Sequence, residues 1–288
     1  VSTVAGEGSV EIFVASTTAV PANARPARLA NLSTRGRVAA DSPLILGFAI
    51  SGTESRRVLV RAVGPALTGF GVTGALAAPR LQIYDAAGAL LSSNEGWGNS
   101  AELVQAAAST GAFPLVAGSA DSAAVVTLSP GTYTIQVADA RGTGGVGLAE
   151  IYDAGTGTGS RLVNVSSRAS AGTGANALIS GFVIAGDATQ RVLLRGVGPG
   201  LAQFGTTGVV ADPAIALFDA EGRELGANDN WVSSVATVSS AAAGAGAFAL
   251  NAGSKDAAVL ATLPSGAYTI QVSAPTIGAA LLEIYEVR

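Results

Sequence analysis

Carboxylates and amides supply nearly all the chemistry this sequence offers. Its 288 residues include no histidine and no cysteine. That removes the Ser-His-Asp triad, the histidine general base, thiol nucleophiles, disulfides and the ordinary structural zinc site. A carboxylate pair or a Ser-Lys arrangement is what remains for catalysis, and Lys255 is the only lysine. In the internal repeat set out below its place is taken by Ala120, so no Ser-Lys site is common to both halves, and the chain reads as non-enzymatic.

Binding chemistry has more candidates. Asn94-Glu95 and Asn228-Asp229-Asn230 follow segments that carry Asp85 and Asp219. Oxygen-rich loops hold Ca²⁺, which makes Asp219, Asn228, Asp229 and Asn230 the candidate metal ligands. The competing expectation, which we favour, is that these side chains satisfy local turn amides and that no cofactor is bound. Trp97 and Trp231 are the candidate sugar contacts, against the commoner role of a buried plug. Gly142-Thr-Gly-Gly-Val-Gly147 has the glycine spacing of a pyrophosphate cradle but leads into a strand, so a hairpin loop is expected. Arg61 and Arg195 interrupt apolar runs and are expected to pair with nearby acids, Glu150 and Glu283 being the candidates. Asn31-Leu-Ser and Asn164-Val-Ser match glycosylation sequons, but they sit at equivalent places in a repeated strand and are better explained by the fold.

Composition excludes further classes. The net charge is −4, only 12% of residues are charged and no basic stripe is present, so nucleic acid is not an expected partner. Hydrophobic residues make up 49%, yet the uncharged run from Trp231 to Ser254 is mostly Ser, Gly and Ala and lacks the density of a membrane span. Methionine is absent, including at position 1. The expectation is an exported product whose signal peptide has been removed, located outside the cell or on its surface.

The elements that must position these residues come in two copies. Arg28-Leu-Ala-Asn-Leu-Ser-Thr-Arg35 aligns with Arg161-Leu-Val-Asn-Val-Ser-Ser-Arg168, and Arg57-Val-Leu-Val-Arg-Ala-Val-Gly-Pro65 with Arg191-Val-Leu-Leu-Arg-Gly-Val-Gly-Pro199. Leu81-Gln-Ile-Tyr-Asp85 matches Ile215-Ala-Leu-Phe-Asp219, and Leu128-Ser-Pro-Gly-Thr-Tyr-Thr-Ile-Gln-Val137 matches Leu263-Pro-Ser-Gly-Ala-Tyr-Thr-Ile-Gln-Val272. A period this long means two complete domains rather than a solenoid. Short β-branched runs, bounded by Gly, Pro, Asn and Asp, alternate as antiparallel strands do. Asp85-Ala-Ala-Gly88 and Asp219-Ala-Glu-Gly222 read as hairpin turns. One short helix per domain is expected, over 99–108 with Asn99 as N-cap and near 233–243, crossing one end of a sandwich. The expected fold is all-β: two tandem antiparallel sandwiches of Ig-like or jelly-roll-like type plus an extra N-terminal strand. The expected boundaries are 1–27 for the strand and a proline-containing linker, 28–153 for the first domain, 154–160 for a linker and 161–288 for the second domain.

These motifs carry a resemblance. The Arg-Leu-x-Asn-Leu-Ser-Thr-Arg-Gly and Arg-Val-Leu-x-Arg-x-Val-Gly-Pro segments, Asn228-Asp-Asn-Trp231 and the closing Leu-Pro-x-Gly-x-Tyr-Thr resemble a repeated domain of large exported proteins of environmental bacteria. The likeness covers all but the first 27 residues or so. It implies a surface module lying near other such modules, with no assigned activity. More loosely, the Tyr-Asp-x-x-Gly turn and the Leu-x-x-Gly-x-Tyr-x-Ile-x-Val strand resemble the bacterial pre-peptidase C-terminal domain, which implies a β-sandwich appended to secreted enzymes.

One segment exceeds the duplication. Glu11-Ile12-Phe13 returns as Glu150-Ile151-Tyr152 and as Glu283-Ile284-Tyr285, giving three copies for two domains. Alternation puts Val10, Ile12 and Val14 on one face, with Ala149 and Ile151 or Leu282 and Ile284 as their counterparts. Burying those three side chains would contribute at most about 4–9 kcal/mol at ~1.5–3 kcal/mol each. The expectation is a structural subunit that joins itself head-to-tail into a filament by donating a terminal strand. The donor is either Val10, Glu11, Ile12, Phe13 and Val14 or, alternatively, Leu282, Glu283, Ile284 and Tyr285. The rival expectations are a monomeric adhesin or spacer, in which the first strand is either the remnant of an upstream domain lost by processing or folds back onto the edge of its own first sandwich, and a module binding cell-surface or matrix polysaccharide.

Overall fold

In a computed structural model of the chain, residues 11–13, 25–40, 42–231 and 235–287 are described. The strands in chain order are β1 (Glu11–Phe13), β2 (Arg28–Val38), β3 (Leu44–Gly52), β4 (Arg56–Val63), β5 (Pro79–Asp85), β6 (Leu90–Glu95), β7 (Ser122–Leu128), β8 (Gly131–Asp139), β9 (Gly145–Asp153), β10 (Ser160–Ala171), β11 (Leu178–Ala185), β12 (Gln190–Val197), β13 (Ala214–Phe218), β14 (Glu224–Asn228), β15 (Ala257–Leu263), β16 (Gly266–Ser273) and β17 (Gly278–Val287). Helix α1 (Ala101–Thr110) lies between β6 and β7, and α2 (Val235–Ala245) between β14 and β15. The fold is all-β and mostly antiparallel, as the alternating runs predict.

The chain divides into two compact units, residues 30–167 and residues 1–29 with 168–288. The division falls inside β2 and β10, and Arg56 fastens the start of the 154–160 stretch to the first of these units. The Arg56 guanidinium meets both oxygens of Asp153, Nε at 2.5 Å and Nη2 at 2.7 Å. Its Nη2 also donates to Gly155 O at 2.8 Å, and its Nη1 donates to Gly157 O. Residues 25–29 are held in the other unit. The Asp187 amide donates to Arg25 O, the Arg25 amide donates back to Asp187 Oδ2, and the Leu29 amide donates to Glu286 Oε1 at 2.9 Å.

In the unit of residues 30–167, one sheet runs β2-β9-β4-β7 and a second runs β3-β8-β5-β6, all antiparallel. Every second side chain fills the space between them. Leu32, Leu46, Val58, Val60, Leu81, Ile83, Ile135, Val137 and Ile151 are all buried, as period-two alternation requires. The Asp85 turn closes the β5–β6 hairpin. Gly88 N donates to Asp85 O, Ala87 N and Ala89 N donate to Asp85 Oδ1, and Gly88 adopts φ +80°. In the unit containing residues 168–288, β17-β12-β15 form one sheet and β11-β16-β13-β14 the other, again antiparallel. The glycine-rich segment 142–147 does not form the expected hairpin loop: it carries the chain from β8 in one sheet to β9 in the other, because β8 pairs with β3 and β5 while β9 pairs with β2 and β4.

Both helices depart from the expected placement. Ser100, not Asn99, caps α1 by accepting from Leu103 N, while Asn99 takes φ +55° and accepts from Gly118 N. Rather than crossing one end, α1 covers the outer face of β4 and β9, packing Ala106 with Leu59 and Tyr152. In the other unit α2 likewise packs Val238, Ala241 and Ala242 with Leu193, Leu260 and Tyr285. The outer face is thereby covered, which is why β9 and β17 are buried on both sides toward their C-terminal ends.

The Val-Gly-Pro turn after β4 depends on a fully buried carboxylate. Asp121 accepts from Gly64 N at 2.7 Å, from Ala66 N and from Ser119 Oγ. Asp256 does the same for Gly198 N, Gly200 N and Ser254 Oγ. The glycine is required for a second reason, since a Cβ on Gly64 would fall 2.1 Å from Leu76 O. Replacing Asp121 by Ala leaves buried amides without an acceptor and is expected to lower stability by about 2–4 kcal/mol in denaturant titration, with Ser119→Ala costing much less.

Candidate assembly site

The three Glu-Ile-aromatic copies do not share one environment. In β9, Glu150 stands directly opposite Arg61 of β4, and in β17, Glu283 stands directly opposite Arg195 of β12. These are the acid partners expected for the two arginines. Arg61 Nε lies 2.8 Å from Glu150 Oε2, in ion-pair contact rather than as a well-aligned hydrogen bond. The Arg61 Nη1 donates to Phe113 O at 2.6 Å, and its guanidinium carbon sits 4.1 Å from the Phe113 ring centre. The Tyr152 hydroxyl donates to Glu150 Oε1 at 2.7 Å. In the other unit, Arg195 Nε donates to Glu283 Oε2 at 2.8 Å, Nη1 donates to Phe248 O, the Phe248 ring centre is 4.2 Å away, and the Tyr285 hydroxyl donates to Glu283 Oε1.

These pairs are buried, with Arg61 and Arg195 no more than 1% exposed. Burial pushes the Glu150 carboxyl above its ordinary value, against the opposing pull of Arg61 and the Tyr152 hydroxyl. Burial and the adjacent carboxylates push both tyrosine hydroxyls up, so each stays protonated and able to donate. A charge pair enclosed in this way satisfies its own buried charges within the layer between sheet and helix. The first copy cannot reproduce it, because Phe13 has no hydroxyl and the residues opposite β1 are Leu260, Ala261 and Thr262.

Those partners define where the surplus strand goes. β1 runs parallel to β15, with Glu11 opposite Leu260, Ile12 opposite Ala261 and Phe13 opposite Thr262. Its sequence likeness to β9 and β17 suggests their slot, but the slot differs. β9 and β17 are antiparallel partners of β4 and β12, whereas β1 extends the sheet beyond β15. Nor does it fold back onto the unit of residues 30–167, since β15 belongs to the other unit. The physical reason is that the chain's own β9 and β17 already occupy the central positions, which leaves a sheet edge as the available row of backbone donors and acceptors. Val10 and Val14 of the expected donor lie outside the described residues. The alternative donor, Leu282 to Tyr285, is built into β17 along β12, its Glu283 and Tyr285 committed to the Arg195 cluster.

The remaining sequence candidates have local partners. Asp219 accepts from Arg223 N and Nε and lies 2.7 Å from Nη2; burial, the largest single effect, raises its pKa, but the Arg223 hydrogen bonds and charge and the Glu221 amide together lower it. Asn228 accepts from Ala258 N and donates to Asn230 O, while Asp229 is exposed. Asp219 and Asn228 act as turn and strand-end caps, and no group of three or more acidic, His or Cys side chains gathers among the described residues. Trp97 and Trp231 are buried, with indole N–H groups donating to Val116 O and Ser254 Oγ, so neither presents an open face for a sugar ring. Trp97 does border an apolar cavity of about 260 Å³ beneath α1, lined also by Leu59, Leu103, Ala107 and Leu115. Lys255 reaches Asp212 at the surface. Among the described residues no helix is long and apolar enough to cross a membrane. Sequence reasoning missed Asp121 and Asp256, although their recurrence at equivalent positions was visible.

No known family profile matches the chain, and no curated protein matches it. Among solved structures, a DUF4785 family protein from Legionella pneumophila is 9% identical, with 99% of this chain and 89% of that one covered at a TM-score of 0.22. The STIV MCP is 11% identical over 93% and 89% at 0.23, and an 11S allergen from Cocos nucifera 6% over 92% and 90% at 0.18. Likenesses at these scores carry no inference about fold or function.

The buried pair generates a test by double-mutant cycle. Glu150→Ala alone strands the Arg61 charge and is expected to cost about 3–5 kcal/mol, whereas Arg61→Met with Glu150→Leu together costs clearly less than the sum of the single changes. Denaturant unfolding of the four proteins reads this directly.

Proposed function

We propose that the chain is a non-enzymatic structural subunit, exported to the cell surface or beyond, that joins copies of itself head-to-tail by exchange of its N-terminal strand. The observation that carries this reading is the ladder between β1 and β15. A short segment, far in sequence from the unit it completes, supplies backbone partners to a sheet edge. The same contacts form equally well when the segment comes from another copy, which is the basis of strand exchange. Eleven residues, 14–24, lie between β1 and Arg25, and a segment of that length fully extended reaches at most ~40 Å, long enough to deliver the strand to a neighbour. Because the donated strand and the receiving edge are different surfaces, the contact is heterologous and propagates into an open chain unless the rotation closes it.

A second reading draws on the same ladder. If β1 stays on β15 of its own chain, the protein is a monomeric spacer or adhesin module whose first strand simply closes its own sheet. Light scattering of the purified chain over a concentration series separates the two. The strand-exchange reading expects mass to rise in multiples of one chain with concentration, and expects deletion of residues 1–20 to abolish that rise. A chain that stays monomeric throughout, or an assembly indifferent to the deletion, contradicts it.

A further inference from the structure

β7 is the counterpart of β15. Leu128 aligns with Leu263, Asp121 with Asp256, and each strand pairs antiparallel with the equivalent strand, β4 or β12. On its far side β15 meets β1. Among the described residues β7 pairs with β4 alone, leaving its other row of N–H and C=O groups without a strand. The burial record follows this difference. Val259, Leu260 and Ala261 of β15 are buried, at 0%, 3% and 0% exposure, while the equivalent Ala124, Val125 and Val126 of β7 are only half-buried. Thr262 is half-buried and Thr127 exposed.

An edge strand of this kind is ordinarily blunted by charge, proline or a bulge. β7 reads Ser-Ala-Ala-Val-Val-Thr-Leu, with no charge and no proline, and its ladder with β4 runs without a register shift. By contrast β6, at the edge of the other sheet, ends in Glu95, which pairs with Arg80, and its ladder is broken by a bulge.

We infer that the β7 edge is the acceptor for the Glu11–Phe13 strand of a second copy of this chain. The inference rests on the strand-exchange reading and names its receiving surface. The occupant is fixed by the structure's own precedent: the same segment already lies along the equivalent edge. Carried over through the alignment of Leu263 with Leu128, the parallel register puts Glu11 opposite Val125, Ile12 opposite Val126 and Phe13 opposite Thr127. Each chain then has one strand to give and two edges that take it, β15 at home and β7 on a neighbour. An unassembled copy keeps its strand at home and shields one edge, and the transfer to β7 links it to the next.

The cysteine-free sequence makes the register testable in the full chain. Two variants, Phe13→Cys and Thr127→Cys, are mixed and oxidised. Adjacent strands bring facing Cα atoms within disulfide reach, and a two-residue slip of ~6.7 Å removes them from it. The expected result is an interchain disulfide in about tenfold greater yield than from Glu11→Cys mixed with Thr127→Cys. A peptide of residues 8–16 carrying Phe13→Cys is expected to label Thr127→Cys with the same preference, which guards against a poorly folded donor variant. Equal yields in and out of register overturn the assignment. If Phe13→Cys couples to Thr262→Cys of another copy but not to Thr127→Cys, strand exchange stands and β7 is not its acceptor. If neither couples and the chain remains monomeric, the exchange reading falls as well.

Discussion

Every strand has two rows of backbone donors and acceptors to satisfy, and this constraint governs the molecule. Within each unit, hairpins and the return of β9 or β17 satisfy the interior strands, but β7 and β15 are left at a sheet end. No hairpin partner is available to them, because the residues before each strand are committed to a helix and a loop over the outer face. An added strand must therefore come from elsewhere in the chain or from another chain. That β1 arrives parallel, where the ladders among β2 to β9 and among β11 to β17 are antiparallel, is what an added strand rather than a hairpin member looks like.

Enclosing the outer face has its own requirement. Helices α1 and α2 cover strands that carry a charge, so each charge needs a partner in the same layer. Cross-strand register supplies it, placing Arg61 opposite Glu150 and Arg195 opposite Glu283. The tyrosine two residues on, on the same face, completes the carboxylate's hydrogen bonding, and a phenylalanine with its carbonyl closes over the guanidinium. The Glu-Ile-Tyr motif is thus read from both sides, isoleucine into the space between the sheets and the polar pair outward under the helix. In Glu11-Ile12-Phe13 the missing hydroxyl marks a copy freed from that cluster.

Much of this was legible in the sequence, because it is local or repeated. Period-two alternation gave the strands, the Asp85 and Asp219 turns gave the hairpins, and arginine inside apolar runs announced a buried acid. The errors have physical causes. Asn99 reads as the cap from its type alone; Ser100 is nearly equivalent by type, and only the left-handed backbone at Asn99 gives the role to Ser100. The destination of β1 was misjudged by treating likeness as equivalence. Which edge stands open is a property of the assembled topology, and no local signal in Gly8 to Ser16 records it. Asp121 and Asp256 escaped notice because a lone aspartate in a turn usually faces water, whereas here both are fully buried beneath the Val-Gly-Pro turn.

The account stands on a difference between two equivalent strands, one edge covered and the other open. Residue-resolved amide hydrogen exchange of the full chain, measured by NMR at a dilution where it is monomeric, tests that difference most directly. Edge strands protect alternate amides only, while covered strands protect all of them. The account predicts uniformly slow exchange across the amides in register with β1, Leu260 to Thr262, and alternating slow and fast exchange along Ala124 to Thr127. The same pattern in both strands would contradict it.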